Sequence, residues 1–271
     1  MSTTADGIPG QRVLVVGASS GIGRGLAAEL AAQGASVAAV ARRADRLGEL
    51  PDVVALPCDV TSPAAVTAMV DAAVERLGGL DALVYTAGLS RINPLHEASL
   101  DDWVELFAPN VFGAALVTRA ALPHLLADGS QGRAVYLTSD SAEKPYPGLV
   151  LYCSAKAALS AYALGLASEF SALKVTEVVV GPTAGTEVAN HFEPEAFGVW
   201  ATRWFEEGYV RYEMLQVADV VPMIVDALAA DAPPAHLRAT GAPATTTMDE
   251  AREKAGPDQP GLGTAIAGDR P

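Results

Sequence analysis

Cysteine is scarce in this chain. Cys58 and Cys153 are the only two in 271 residues, too few for a disulfide framework and without the paired spacing of a metal motif. Unpaired thiols suit a reducing compartment, so a cytoplasmic location is the expectation, and no metal is expected. Positive charge is scarce too. Eighteen Lys and Arg face 32 Asp and Glu, for a formal net charge of −14 and a pI near 4.6. So acidic a chain lacks the basic face that releases counterions from nucleic acid or binds an anionic membrane, and no such partner is expected. No uncharged apolar stretch approaches the ~18 residues of a membrane span. The opening segment MSTTADGIPG has neither a basic stretch nor an apolar run, so no secretory signal is expected.

What is abundant is apolar residue in short, regular instalments. Half the chain is hydrophobic and the mean hydropathy is +0.25, enough for one large core without a second domain. The runs RVLVV (12–16), SVAAV (36–40), VVALP (53–57), LDALVY (80–85), AVYLT (134–138) and KVTEVVV (174–180) predict strands. Helical segments are expected between them, at about 22–33, 62–77, 100–126 and 149–172. Strands alternating with helices at this spacing predict an α/β fold, a doubly wound parallel sheet in three layers, as a single domain over 11–238. Residues 1–10 are expected to be flexible. The stretch 239–271, rich in Pro, Gly, Ala and Thr, reads as a flexible C-terminal extension.

Directly after the first strand comes VVGASSGIGRG, with Gly17, Gly21 and Gly23 around Ser19, Ser20 and Ile22 at the opening of a helix. Glycine allows the backbone to turn tightly and approach a pyrophosphate, which then sits at the positive helix N-terminus. The motif predicts a Rossmann-like dinucleotide site. The end of the second strand sets cofactor preference, an acid there favouring NAD and a base NADP. Here it reads Val40-Ala41-Arg42-Arg43. A guanidinium pairs well with phosphate, so NADP(H) is favoured over NAD(H), with Arg42 given the 2′-phosphate and Arg43 a lesser part.

Further along, LYCSAKAALSAY places Tyr152 and Lys156 four residues apart, on one face of a helix. The glycine motif, Asp59-Val60 after the third strand, Asn110, Ser139 and Tyr152-x-x-x-Lys156, in this order, resemble the compact single-domain branch of the short-chain dehydrogenase/reductase family over about residues 12–186. That resemblance implies an oxidoreductase interconverting a ketone or aldehyde and an alcohol. Tyr152 would be the general acid/base, and Lys156 would hold the nicotinamide ribose and lower the phenol's pKa. Ser139 would orient the substrate oxygen and Asn110 would anchor a water relaying protons to Lys156. Gly17, Ser19, Ser20, Gly21, Ile22, Gly23, Asp59, Val60, Ala87, Gly88 and Thr186 would line the cofactor, and the protein would be a homodimer or homotetramer. A unit charge ~5 Å away at an effective dielectric of ~20 is worth about 3 kcal/mol, an expected lowering of roughly two pKa units. Ser141, Cys153 and Ser154 are read as structural.

The chain also departs from the family's pattern. Tyr85-Thr86-Ala87-Gly88 stands where two asparagines usually precede Ala-Gly, so amides that tie the sheet together are expected to be missing. Pro109, just before Asn110, is expected to kink its helix. Residues 187–214 hold seven of the sixteen aromatics, among them Phe192, Phe197, Trp200, Trp204, Phe205, Tyr209 and Tyr212. In the family this is the substrate lid, and its rings would either suit a bulky, apolar ketone or alcohol or pack against the domain or a partner subunit. The competing reading from another class is a dinucleotide-binding sensor or scaffold without turnover. An epimerase or dehydratase of the larger branch is disfavoured by the glycine spacing and the lack of a sizeable C-terminal domain.

Overall fold

Both faces of β1 (Arg12–Val16) are buried, Val13 and Val15 in one apolar cluster and Leu14 and Val16 in another. A strand with no wet face needs helices on both sides, and that condition selects a parallel sheet. The computed structural model describes residues 7–210, 213–239 and 241, the side chains of Asp128 and Ala189 excepted. Tyr212, residues 1–6 and all of 239–271 except 239 and 241 therefore lie outside the described residues.

From β1 the chain continues through α1 (Gly21–Ala32), β2 (Ser36–Ala41), the short α2 (Ala44–Gly48), β3 (Val53–Pro57), α3 (Pro63–Leu77) and β4 (Ala82–Tyr85). The next stretch runs through α4 (Leu100–Phe107), α5 (Gly113–Leu125), β5 (Arg133–Ser139), α6 (Val150–Glu169) and β6 (Lys174–Val180). After it come β7 (Thr183–Ala184), α7 (Pro194–Glu206), β8 (Leu215–Gln216), α8 (Val217–Ala229) and β9 (His236–Ala239). Seven strands form one parallel sheet in the order β3-β2-β1-β4-β5-β6-β9. The helices α1 and α8 cover one face through Leu26, Leu30, Ile224 and Leu228, while α3, α5 and α6 cover the other through Val66, Val117, Ala121 and Leu159. This is the expected doubly wound α/β class. Strand order reverses between β1 and β4, and in such sheets ligands bind outside the carboxyl ends of the strands at that switch point.

Two segments, Leu100–Leu125 and Val150–Glu169, are long and apolar enough to cross a membrane by length and composition. Within the fold their apolar residues have another use: Ala114, Val117, Ala121, Leu159 and Ala163 are buried against the sheet. The break expected at Pro109 takes a specific form. Residues Ala108–Phe112 make one π-helical turn between α4 and α5, which absorbs the missing proline N–H without ending the helix. Capping follows the sequence: Ser99 and Asp102 form a reciprocal capping box at α4, and Ser62 caps α3 ahead of Pro63.

Candidate active site

The site begins where β1 turns into α1. Gly17 has φ +97°, and a Cβ there would lie 2.5 Å from Thr86 Oγ1 and 2.6 Å from the Ala87 nitrogen. Only glycine combines that backbone with that closeness. Thr86 donates its hydroxyl to the Val16 carbonyl at 2.8 Å, and the buried Tyr85 hydroxyl donates to the Pro109 carbonyl at 2.5 Å. The amides expected to be missing are absent, and these two hydroxyl bonds from Tyr85 and Thr86 supply ties beside β4 in their place. Asp59 accepts from both the nitrogen and the hydroxyl of Thr61, and those bonds, with Arg42's charge beyond them, hold its carboxyl below the usual range.

At the end of β2 the two arginines part ways. Arg42 is exposed at the rim of the cavity. Arg43 folds inward, donating to Ser19 Oγ at 2.8 Å, to Ser20 Oγ at 3.2 Å, and to both carboxylate oxygens of Glu187 at 2.5 and 3.0 Å. The loop carrying Glu187 crosses the glycine turn, and a Cβ on Gly21 would be 3.3 Å from the Thr186 Cα. The Thr186 hydroxyl donates to Thr183 within its own loop at 2.9 Å.

At the carboxyl ends of β4 and β5 the remaining predicted residues converge. Asn110, fully buried in the π-helical turn, donates its amide to the Leu106 and Leu89 carbonyls, both at 2.8 Å, while its Oδ1 has no partner. A Cβ on Gly88 would meet that Oδ1 at 2.6 Å and Lys156 Nζ at 3.4 Å, so the glycine is what lets amide and ammonium approach the same point. Lys156 donates to the Leu137 carbonyl at 3.0 Å, and burial pushes its ammonium down to about 8. Ser139 ends β5. Its hydroxyl bonds Ser141 Oγ at 2.9 Å and Asp140 Oδ1 at 3.3 Å, and accepts from the Ser141 nitrogen at 3.2 Å. Ser141, read from sequence as structural, thus belongs to the network that sets the Ser139 rotor.

Tyr152 departs from expectation in its electrostatics. Burial raises the phenol well above its ordinary value of 10, a hydrogen bond with Ser139 pulls the other way, and Cys153 and Asp140 add to the rise. Lys156 Nζ lies 5.8 Å from the ring centroid and points at a carbonyl. The expected lowering by Lys156 does not set the direction: burial of the phenol is the largest cause, and it raises the pKa. Asp140, missed in the sequence, is likewise raised by burial against its bonds from Ser139 and Ser141.

One cavity of about 1290 Å³ joins these parts, larger than the roughly 300–1,000 Å³ of a drug-sized ligand site. Gly17, Ser19, Ser20, Gly21, Ile22, Gly23, Arg42, Arg43, Asp59, Val60, Ala87, Gly88, Ser139, Tyr152, Lys156 and Thr186 all line it. Asn110 does not; it stands behind Gly88. Among the aromatics, Phe192, Phe197, Trp204 and Phe205 line the cavity. Trp200 and Tyr209 pack against the Tyr146, Leu149, Cys153 and Trp204 cluster instead, so the expectation that Trp200 faces a substrate is corrected. Trp204 is anchored by its indole N–H to the Pro147 carbonyl at 2.7 Å. Among the described residues no cluster of His, Cys, Asp or Glu is gathered to hold a metal ion.

A nicotinamide dinucleotide fits these features. Gly17 and Gly88 form a cradle of bare backbone in the cavity wall, Asn110 Oδ1 stands unpartnered behind Gly88, and Arg42 and Arg43 line the same cavity. Residues 11–196 match the family model for short chain dehydrogenase, and the chain belongs to the short-chain dehydrogenase/reductase family. A short chain dehydrogenase from Pseudocercospora fijiensis is 35% identical over 185 residues, covering 65% of this chain and 60% of that protein's length. The NADP-dependent 3-hydroxy acid dehydrogenase YdfG of Escherichia coli is 32% identical over 186 residues, 66% of this chain and 75% of that one. Among solved structures, a short chain dehydrogenase from Burkholderia cenocepacia in complex with NADP superposes with a TM-score of 0.72 at 28% identity, over 87% of this chain and 98% of that one. A Burkholderia phymatum family member in complex with NAD shares the fold, with a TM-score of 0.76 at 22% identity over 85% and 89% of the two chains.

Proposed function

We propose that this oxidoreductase is NADP(H)-dependent and interconverts a bulky, apolar ketone or aldehyde with its alcohol. The observation that carries the reading is the convergence of Ser139, Tyr152 and Lys156 on one wall of a cavity whose far end holds Arg42 and Arg43. When bound, the nicotinamide supplies or accepts the hydride. Tyr152, kept protonated by burial, delivers its proton to the carbonyl oxygen in the direction of reduction. Ser139 donates a hydrogen bond to the same oxygen as charge develops there. Lys156 binds ribose hydroxyls and carries the proton that restores the phenol. Asn110 Oδ1, an acceptor without a protein partner beside Lys156, holds a water on that path.

At the other end, Arg42 is open to the 2′-phosphate while Arg43 is already paired. A panel of ketones and secondary alcohols assayed with NADPH and NADH tests the reading as a whole. Arg42→Ala is expected to weaken NADPH binding by about tenfold and NADH binding by less than about twofold; equal weakening of both removes Arg42 from the phosphate site.

The aromatic segment supports the bulky-substrate part. Phe197 stacks against Phe192 and Trp204 at ring separations of 5.7 and 6.3 Å and lines the cavity. Phe197→Ala is expected to raise KM for bulky ketones by roughly tenfold, the order of one lost aromatic contact, and to leave small ketones nearly unchanged. A uniform rise across the panel counts against a lid. Self-association as a homodimer or homotetramer draws support from Val104, Phe112 and Leu164, apolar and exposed on α4, the π-helical turn and α6.

A further inference from the structure

We propose that Glu187 is a specificity-determining residue that competes with the cofactor's 2′-phosphate for Arg43, and so sets how strongly the protein prefers NADP(H) over NAD(H). The inference rests on the cofactor reading above and deepens it. Arg43 stands at the carboxyl end of β2, where the adenosine ribose of a dinucleotide is recognised in sheets of this class. All three nitrogens of its guanidinium are engaged. Nε and Nη2 donate to Ser19 Oγ, Nη2 also to Ser20 Oγ, and Nη1 and Nη2 grip the two oxygens of Glu187. That fork-on-fork geometry is the strong form of an arginine pair. Glu187 arrives from a loop 144 positions away in sequence, held over the glycine turn by Thr186.

The two cofactors meet this arrangement differently. A 2′-phosphate approaching Arg43 either faces the Glu187 carboxylate as a like charge or displaces it. A 2′-hydroxyl needs neither, and can donate to the carboxylate as it would to the acid that marks NAD sites. Arg43 and Glu187 side chains are 41% and 32% exposed, so the competition is between partly solvated groups and its effect is moderate. Other charges face the pair: Asp45 acts on Arg43 from α2, and Arg46 on Glu187. Neither bridges the loop to the glycine turn.

The test is direct binding of NADPH and NADH, read by the change in their fluorescence, to the wild-type protein and to Glu187→Gln and Glu187→Asp. Glu187→Gln is expected to tighten NADPH by about fivefold to tenfold and to leave NADH unchanged or weaker, while Glu187→Asp keeps a wild-type ratio. Equal weakening of both cofactors in Glu187→Gln makes the pair a clasp that retains any dinucleotide and overturns the proposal. An unchanged ratio overturns it as well, and leaves the cofactor reading standing if Arg42→Ala still discriminates. A wild-type protein that binds neither dinucleotide overturns both.

Discussion

Tyr152→Phe is expected to lower kcat/KM for ketone reduction by about a thousandfold, the middle of what one positioned proton donor contributes, while NADPH binds within about twofold of wild type. The substitution removes a single oxygen. Because burial keeps the phenol protonated, no charge is lost from the site. The ring remains against the apolar cluster of Tyr146, Leu149 and Cys153, and the cradle at Gly17 and Gly88 is untouched. Only Ser139 loses a partner, and its bonds to Ser141 and Asp140 remain. Steady-state rates beside NADPH fluorescence titrations check the split. Turnover close to wild type takes Tyr152 out of the mechanism, and parallel loss of cofactor binding makes its role structural. A wild-type protein that binds NADPH and turns over no carbonyl in the panel favours the sensor reading.

How much of this was legible in the sequence follows from the range of the interactions involved. The strands of the sheet's centre were readable because β-branched runs such as Arg12–Val16 and Lys174–Val180 carry their own signal. The helix α8 was not. Its sequence VADVVPMIVDALA buries Val220, Val221, Ile224, Val225 and Leu228 at helical spacing, but Pro222 inside it argues locally against a helix. Gly17, Ser139, Tyr152 and Lys156 were found because their order and spacing are local facts. Glu187 was missed because nothing near it in sequence announces a partner two residues beyond β2. The sequence assigns the 2′-phosphate to Arg42, but that Arg43 turns inward onto Ser19 and Glu187 was out of reach. Adjacent residues leave a strand end in different directions, and only the backbone decides which turns inward. The direction of the phenol's shift was out of reach for a related reason: a charge pair at fixed spacing says nothing of desolvation, and burial is a property of the assembled fold.

That burial gives the second large effect, at Lys156. Its side chain is 6% exposed, and its hydrogen bond in the structure goes to the Leu137 carbonyl. The ammonium is pushed from 10.5 to about 8 by desolvation alone. A group whose folded pKa lies below its unfolded value destabilises the fold while charged. The full penalty is present below about pH 8 and is relieved as pH rises from about 8 toward 10.5, where the unfolded chain binds more protons than the folded one. Lys156→Met keeps the aliphatic stem and deletes the charge. Against the relieved penalty stands the unpaired Leu137 carbonyl, worth about 1 kcal/mol, so a net gain of about 2 kcal/mol is expected near neutral pH. The melting temperature should then rise by about 4–8 °C, and the advantage should shrink above pH 8 and vanish toward 10.5. Turnover should fall by about a hundredfold or more, since the variant can neither bind ribose hydroxyls nor re-protonate the phenol. Thermal unfolding of both proteins across that pH range, beside their rates, is the measurement. A variant that melts lower than wild type near neutral pH means the ammonium is compensated in the fold, and the cation is then structural. The expected result, more stable and less active, identifies Lys156 as a charge held in the core for what it does to Tyr152 and the cofactor, at a cost to stability.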